Sequence, residues 1–312
     1  MFEQKPEIDV LLATCNGEPF LEQQLDSLFN QTFQRFHLIV RDDCSSDATL
    51  SIVERFQSIH PDSIELHRNN SRQGACRNFS LLTQQSNAPY FAFCDQDDVW
   101  HPDKLELSLK ALQDIEGQYG MGMPALVFTD VALVDEKAAC IAPSMWRSLR
   151  VFPERLTFAS QLVQNLVTGC TVLGNRSLLN LGSPLPEDAR MHDDWLGLVA
   201  TAFGVVRPLR HVTMDYRQHA NNAIGTKAGW RAAKLFQLWK DPALTVYIGA
   251  SQKQARAFAT RYASRLSPEQ KIAIEAWSTM QQRSALFRHW DLYRHGLRRT
   301  GFWNNLGFMV RA

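Results

Sequence analysis

Short β-type runs in the first half of the chain each lead into a stretch of helical periodicity, and this alternation restricts the fold more than any other feature. Ile8 to Thr14 ends at Asn16-Gly17, after which Phe20, Leu21, Leu25 and Leu28 recur at helical spacing. Phe36 to Val40 is followed by a helix from about Ala48, and Ile64 to Leu66 by one near Ala75 to Leu82. Tyr90 to Cys94 forms a fourth run, and Pro102 then suits the first turn of a helix whose apolar face is Leu105, Leu109 and Leu112. Strand, turn and helix in repetition predict an α/β fold with a mostly parallel sheet covered by helices. The rhythm then loosens. Ala125 to Thr129 and Thr171 to Leu173 read as strands, Trp195 to Phe203 as a helix, and Val205 to Tyr216 as two more short β-type runs. From Trp230 onward only helical patterns occur, which divides the chain near Gly225 to Gly229 into a domain over residues 1–228 and a helical extension over residues 229–312.

Composition narrows the partners. Among 312 residues, 33 basic and 32 acidic side chains leave a formal charge of +1, so no global field points to nucleic acid. The opening stretch carries Glu3, Glu7 and Asp9 and does not read as a secretory signal, and the longest apolar stretches fall short of a membrane span. Six scattered cysteines without a C-x-x-C spacing fit reduced thiols in a cytoplasm.

Parallel α/β sheets form their ligand crevice at the carboxyl ends of the strands, and three such ends here are acidic. After the second run comes Arg41-Asp42-Asp43-Cys44-Ser45-Ser46-Asp47. Ser46 or Asp47 can cap the next helix, which leaves Asp42 and Asp43 to accept hydrogen bonds from a base N–H or a ribose hydroxyl. After the fourth run, Cys94-Asp95-Gln96-Asp97-Asp98-Val99-Trp100 crowds carboxylates together, an unfavourable arrangement unless a hard cation such as Mg²⁺ or Mn²⁺ joins them. Trp100 packs either a sugar face or the core. The third end, Met191-His192-Asp193-Asp194-Trp195, opens an apolar helix whose free N–H groups favour an ionised carboxylate able to take a proton.

In this order the motifs resemble the inverting family 2 glycosyltransferases of GT-A fold over about Ile8 to Gly225. Leu11-Leu12-Ala13-Thr14-Cys15-Asn16-Gly17-Glu18 is similar to the opening nucleotide loop of that family, with Thr14, Asn16 and Glu18 as donor contacts. Asp42 and Asp43 match its base- and ribose-binding pair, and Asp95-Gln96-Asp97 its metal-binding D-x-D. Asp193 falls at the position of the catalytic base, with Asp194 as a second candidate because it stands where an aromatic residue is usual; Cys15 replaces a common tyrosine. Asp95 to Trp100, Val167-Thr168-Gly169-Cys170, His192-Asp193 and Tyr216-Arg217-Gln218-His219-Ala220-Asn221-Asn222 are most similar to bacterial rhamnosyltransferases of polysaccharide and O-antigen assembly.

The resemblance implies a metal-dependent enzyme that takes a sugar from a nucleotide-diphosphate donor, with dTDP-L-rhamnose favoured, to a hydroxyl of a saccharide or lipid-linked saccharide. It implies metal ligands at Asp95, Asp97 and His219, donor contacts at Gln96, Trp100, Arg217 and His219, and acceptor-side residues at Asp98, Thr168, Gly169, His192 and Trp195, while Arg77, on the helix after the third run, either contacts the diphosphate of the donor or pairs with a surface carboxylate. A nucleotidyltransferase would need a glycine- and lysine/arginine-rich phosphate loop that Thr14 to Glu18 does not supply, and a receiver domain leaves the later acids unexplained. A non-catalytic sugar-nucleotide binder or assembly scaffold is the competing reading. The last stretch, Arg283 to Ala312, sets Arg283, Arg288, Arg294, Arg298, Arg299 and Arg311 among Leu286, Phe287, Trp290, Tyr293, Leu297, Phe302, Trp303, Leu306, Phe308 and Met309. That composition suits a peripheral site on an anionic membrane at the inner face of the cell, or docking on the catalytic domain.

Overall fold

The structure is a computed structural model, and it describes residues 6–219, 242–282 and 284–299. The boundary near Gly225 to Gly229, Ala220-Asn221-Asn222, Arg283 and residues 300–312 lie outside the described residues, as do the side chains of Leu286 and Phe287.

The first half follows the predicted alternation: β1 (Ile8–Thr14), α1 (Leu21–Phe29), β2 (Phe36–Asp42), α2 (Thr49–Ile59), β3 (Ile64–Arg68), α3 (Ala75–Gln85) and β4 (Tyr90–Cys94). β1 pairs in parallel with both β2 and β4, and β2 with β3. Covered on both faces, the centre of this sheet has no exposed side, and Ile8, Val10, Leu11, Leu12, Phe91 and Phe93 are all fully buried. Each such side chain contributes roughly 1.5–3 kcal/mol by leaving water.

A two-residue strand, β5 (Val99–Trp100), precedes α4 (Lys104–Tyr119), which begins at Lys104 and not at Pro102. The chain continues through β6 (Ala125–Val134), β7 (Cys140–Ala142), α5 (Met145–Ser148), α6 (Phe158–Val163), β8 (Val172–Asn175), α7 (Arg176–Gly182), α8 (His192–Phe203) and β9 (Val205–Arg217). The sheet order is β3-β2-β1-β4-β8-β6-β9-β5, with β7 on the flank of β6. β8 lies antiparallel to both β4 and β6, so the second half is mixed. The two β-type runs expected over Val205 to Tyr216 are one strand, whose register against β6 shifts near Asp130. That irregularity carries the end of β9 across to β5, where Val99 pairs with Asp215.

The extension is helical: α9 (Pro242–Arg261), α10 (Pro268–Thr279) and α11 (Ala285–Arg294). Ser267 and Gln270 form a capping box at the start of α10. α9 and α10 do not stand apart, because Ile248, Ala255, Phe258, Ala273, Ile274 and Trp277 join the same buried cluster as the sheet. Phe258 and Tyr262 lie against the Trp195 ring, with centroids 5.4 and 6.0 Å away. No helix among the described residues is long and apolar enough to cross a membrane.

Candidate active site

Two of the three acidic segments, after β2 and β4, sit at strand ends; the third does not, because Asp193 and Asp194 open α8 after α7 and a loop instead of following a strand. After β1, Asn16 turns the chain with φ of 51°, donates its N–H to Ser45 Oγ (2.8 Å) and accepts from the Ser46 N–H (2.9 Å). Glu18 bonds the start of α2 in both directions: its N–H donates to Asp47 (3.1 Å) and its carboxylate accepts from Ala48 N–H (3.0 Å). Gln96 clamps the same turn by accepting from Cys15 N–H (2.7 Å) and donating to the Cys15 carbonyl (3.1 Å). Gly17 allows this clamp, since a Cβ there would lie 2.4 Å from Gln96 Oε1.

Asp42 and Asp43 are both buried. Asp42 accepts from Thr14 Oγ1 (2.9 Å) and from the Ser45 N–H and hydroxyl (2.9 and 2.5 Å). Asp43 accepts from Asn69 (2.8 Å), Gln73 N–H (2.7 Å) and Gly74 N–H (2.8 Å), which holds the turn before α3 against the mouth of the site. Arg72, in that turn, reaches Cys15 Sγ at 2.7 Å. Arg77 is exposed on α3.

The acid loop after β4 is shaped by β9. Arg217 donates its N–H to Asp98 (3.2 Å), its Nε to the Asp97 carbonyl (3.0 Å) and its guanidinium to the Glu136 carbonyl (3.1 Å) and Gln23 (2.6 Å). Its role is to fold this loop, which differs from the donor contact expected of it, because a buried guanidinium must satisfy its N–H groups within the protein. His219 Nε2 lies 2.7 Å from Asp97 Oδ2. Asp95, half-buried, gathers with the buried Asp98 and Cys170, their ligand atoms all within 4.8 Å of one another. Apart from the Cys170 thiol beside it, Asp98 Oδ2 has no hydrogen-bond partner among the described residues. Burial, then the charges of Asp97 and Asp193, pushes the Asp95 carboxyl up to about 7. Burial and the neighbouring acids push Asp98 well above the usual range as well. The ammonium of Lys104 is buried nearby, its pKa drawn down to about 8 by burial.

The start of α8 adjoins this cluster through adjacent residues, since Gly169 donates its N–H to Asp193 and Cys170 gathers with Asp95 and Asp98. Asp193 lies in the first turn of α8, with Oδ2 accepting from Gly169 N–H (3.0 Å) and Oδ1 from Asp194 N–H (2.7 Å). Burial, then the adjacent Asp194, pushes its carboxyl up to about 7. Asp194 is fully engaged: it forms an ion pair with Arg190 (2.8 Å) and accepts from Gln254 (2.8 Å) and Gln161 (3.1 Å). His192 is packed between Phe79 and Phe93, with centroids 3.8 and 4.3 Å away, and burial holds it neutral, down at about 3. Thr168 and Gly169 frame this corner; a Cβ on Gly169 would lie 2.6 Å from His192 Nε2.

Two expected sugar contacts are core residues instead. Trp100 is 2% exposed, with Lys104 over its ring at 4.7 Å, and Trp195 is fully buried and donates to the Gly182 carbonyl (2.9 Å). Each aromatic adjoins an acid but points inward, as large apolar rings do at the edge of a sheet. Cys170, Lys104, Arg190, Gln161 and Gln254 are the participants that sequence reasoning did not assign, and nothing in their spacing marks them.

Residues 9–179 match the family model described as Glycosyl transferase family 2. The chain belongs to that family. As a family 2 glycosyltransferase it is 28% identical over 233 residues to the dTDP-rhamnosyl transferase RfbG of Shigella flexneri, covering 71% of this chain and 76% of that one. It is 27% identical over 242 residues to the putative teichuronic acid biosynthesis glycosyltransferase TuaG of Bacillus subtilis (strain 168), covering 75% and 87%. The structure of S. aureus TarS 1-349 in complex with UDP-GlcNAc superposes with a TM-score of 0.56 at 15% identity, over 97% of this chain and 90% of that one. Mannosyltransferase PcManGT from Pyrobaculum calidifontis, in complex with GDP-Man and Mn²⁺, gives 0.52 at 19%, over 95% and 86%. The fold is that of these GT-A enzymes.

Proposed function

We propose that this enzyme is a metal-dependent inverting transferase that moves L-rhamnose from dTDP-L-rhamnose to a hydroxyl of a saccharide or lipid-linked saccharide in cell-surface polysaccharide synthesis. The observation that carries the reading is the buried Asp193 carboxylate, fixed by the Gly169 and Asp194 N–H groups, with Cys170 next to Gly169 belonging to the Asp95 and Asp98 cluster; burial raises the Asp193 carboxyl toward neutrality. A general base works best when its pKa lies near the operating pH. Asp193 serves better than Asp194, whose oxygens are taken by Arg190, Gln161 and Gln254. As base, Asp193 takes the proton of the acceptor hydroxyl while that oxygen attacks the anomeric carbon opposite the leaving diphosphate, which inverts the centre.

The residues fit a divalent cation: crowded carboxylates, one with an oxygen lacking any N–H or O–H partner, are unfavourable together without a positive charge. Asp95 and Asp97 would hold it, with Asp98 and Cys170 beneath and His219 beside Asp97. A bound cation neutralises charge developing on a leaving diphosphate. The turns fixed by Thr14, Asn16, Glu18, Asp42, Asp43 and Gln96 line the donor side, with Arg77 nearby, and Thr168 and Gly169 the acceptor side, where the buried His192 ring, expected as an acceptor contact, is instead a core support between Phe79 and Phe93. The name of the Shigella relative supports rhamnose.

Trp290 and Tyr293 are 60% and 63% exposed on α11, next to Arg294, which supports a peripheral contact with an anionic membrane. The deciding experiment is a thermal-shift screen of dTDP-L-rhamnose, UDP-GlcNAc, UDP-glucose and GDP-mannose, with Mn²⁺ and with chelator. A Mn²⁺-dependent rise largest for dTDP-L-rhamnose is expected. A larger rise with another donor overturns the rhamnose assignment, and equal shifts in chelator overturn metal dependence.

A further inference from the structure

The hydrogen bonds that fix Asp193 lead, on both sides, to α9. On one side, Oδ1 accepts from the Asp194 N–H (2.7 Å), and the Asp194 carboxylate is held by Gln254 of α9 (2.8 Å) and by Arg190 (2.8 Å). Gln254 also accepts from the Arg190 N–H (2.8 Å), so one buried amide ties the turn before α8 to its first carboxylate pair. The Arg190 guanidinium lies over the Tyr247 ring of α9, 3.7 Å from its centroid. On the other side, Oδ2 accepts from the Gly169 N–H (3.0 Å). The strand of loop leading to Gly169 is pinned by Asn165, whose N–H donates to the Tyr247 hydroxyl (3.1 Å) and whose side chain accepts from Val167 N–H (3.0 Å) and Gln161 (2.8 Å). Gln161 closes the ring by donating to Asp194 (3.1 Å). Both donors to the base are thus anchored by residues that lie 60 or more positions downstream of Asp194 or 82 downstream of Asn165, well beyond the family-matched segment.

We propose that α9 completes the active site, with Tyr247 and Gln254 as positioning residues that fix the Asp193 carboxylate for turnover and contribute nothing to donor binding. The inference rests on Asp193 being the base. Its logic is geometric: a carboxylate on the first turn of a helix swings with the backbone of that turn, and a displacement of about 1 Å at a reacting group can cost on the order of a hundredfold in rate. Gln254 is buried and Tyr247 and Asn165 are half-buried, so these contacts are set by packing and not by free solvent.

The test uses the full chain with dTDP-L-rhamnose and Mn²⁺. Turnover is followed as hydrolytic release of dTDP, with water as the hydroxyl that takes the sugar and gives up its proton, for the parent, Tyr247→Phe, Gln254→Leu, Asp193→Asn and, as a control on the outer face of α9, Val246→Ala. Tyr247→Phe keeps the ring under Arg190 and loses only the hydroxyl, so it stays folded even where Gln254→Leu does not. The expected result is a fall in kcat of about ten- to a hundredfold for Tyr247→Phe and Gln254→Leu with donor KM unchanged, and parental values for Val246→Ala. Unchanged kcat in a folded Tyr247→Phe, or kcat and KM moving together, overturns the proposal. An active Asp193→Asn overturns the underlying assignment of the base instead, and the two failures are read from different variants.

Discussion

A general base kept ready by burial costs stability, and Asp193, proposed here for that role, carries a cost that can be measured. Asp193 has an ordinary carboxyl pKa of 3.8 in the unfolded chain and about 7 in the folded one. Below 3.8 both states hold the proton and the group contributes nothing to the pH dependence. As the pH rises from there, the unfolded chain releases its proton first, so folding becomes progressively less favourable until the folded group also ionises near 7. A separation of about three pH units corresponds to about 4 kcal/mol, an upper bound in the absence of metal. Replacement by Asn removes that penalty but exchanges one acceptor oxygen for an NH₂, which can no longer receive both the Gly169 and Asp194 N–H groups; the lost bond costs about 1 kcal/mol.

Asp193→Asn is therefore expected to abolish transfer and, at pH 8 in chelator, to stabilise the protein by about 2–3 kcal/mol. At pH 4 the gain should vanish or reverse. Urea unfolding followed by circular dichroism at both pH values checks this. Asp194→Asn should behave in the opposite sense, because it leaves the guanidinium of Arg190 buried without its carboxylate; breaking such a pair costs about 3–5 kcal/mol. An Asp193→Asn variant no more stable than the parent at pH 8, or equally stabilised at both pH values, would refute the reasoning that burial sets the base.

Asp97→Asn, and more weakly Asp95→Asn, should abolish Mn²⁺-dependent donor binding in isothermal titration while circular dichroism is unchanged; retained metal dependence in both contradicts the ligand assignment. Gly169→Ala should lower kcat on the order of a hundredfold, since its methyl group would lie 2.6 Å from His192 and must displace the loop that donates to Asp193; parental kinetics would contradict it. Trp290→Ala with Tyr293→Ala should weaken sedimentation with anionic vesicles severalfold and leave donor binding intact, the effect being largest at low salt. Binding equal to the parent removes α11 from any membrane contact.

What the sequence reveals and what it conceals divide along a physical line. β1, β4 and the helix periodicity of α1 to α4 are written in local patterns, because a strand buried on both faces must be continuously apolar and a helix must repeat near 3.6. Two of the acids are legible for the same reason, Asp42 and Asp95 standing at or just after the ends of apolar strands, whereas Asp193 is marked only by the apolar helix it opens. β5, β7, α5 and α6 are too short to establish a period, and the single strand β9 reads as two because its register shifts beside Asp130. The direction of a ring leaves no trace either, and Trp100 and Trp195 next to acids look the same in sequence whether they face a sugar or the core.

The support of Asp193 is the clearest case of what local reading misses. Gln254 and Tyr247 sit on a helix whose own sequence shows only ordinary periodicity, yet their polar atoms are placed by tertiary packing, with Phe258 and Ala255 seating α9 against Trp195 and α6. A buried amide gains little net stability from any single hydrogen bond, but leaving Asp194 and Arg190 without it would expose two buried charges to an apolar interior. The same requirement binds the extension to the catalytic corner, since the helices cannot be removed without stripping partners from the pair that flanks the base. An extension that composition presents as an appendage is thereby packed into the corner that holds Asp193 and Asp194.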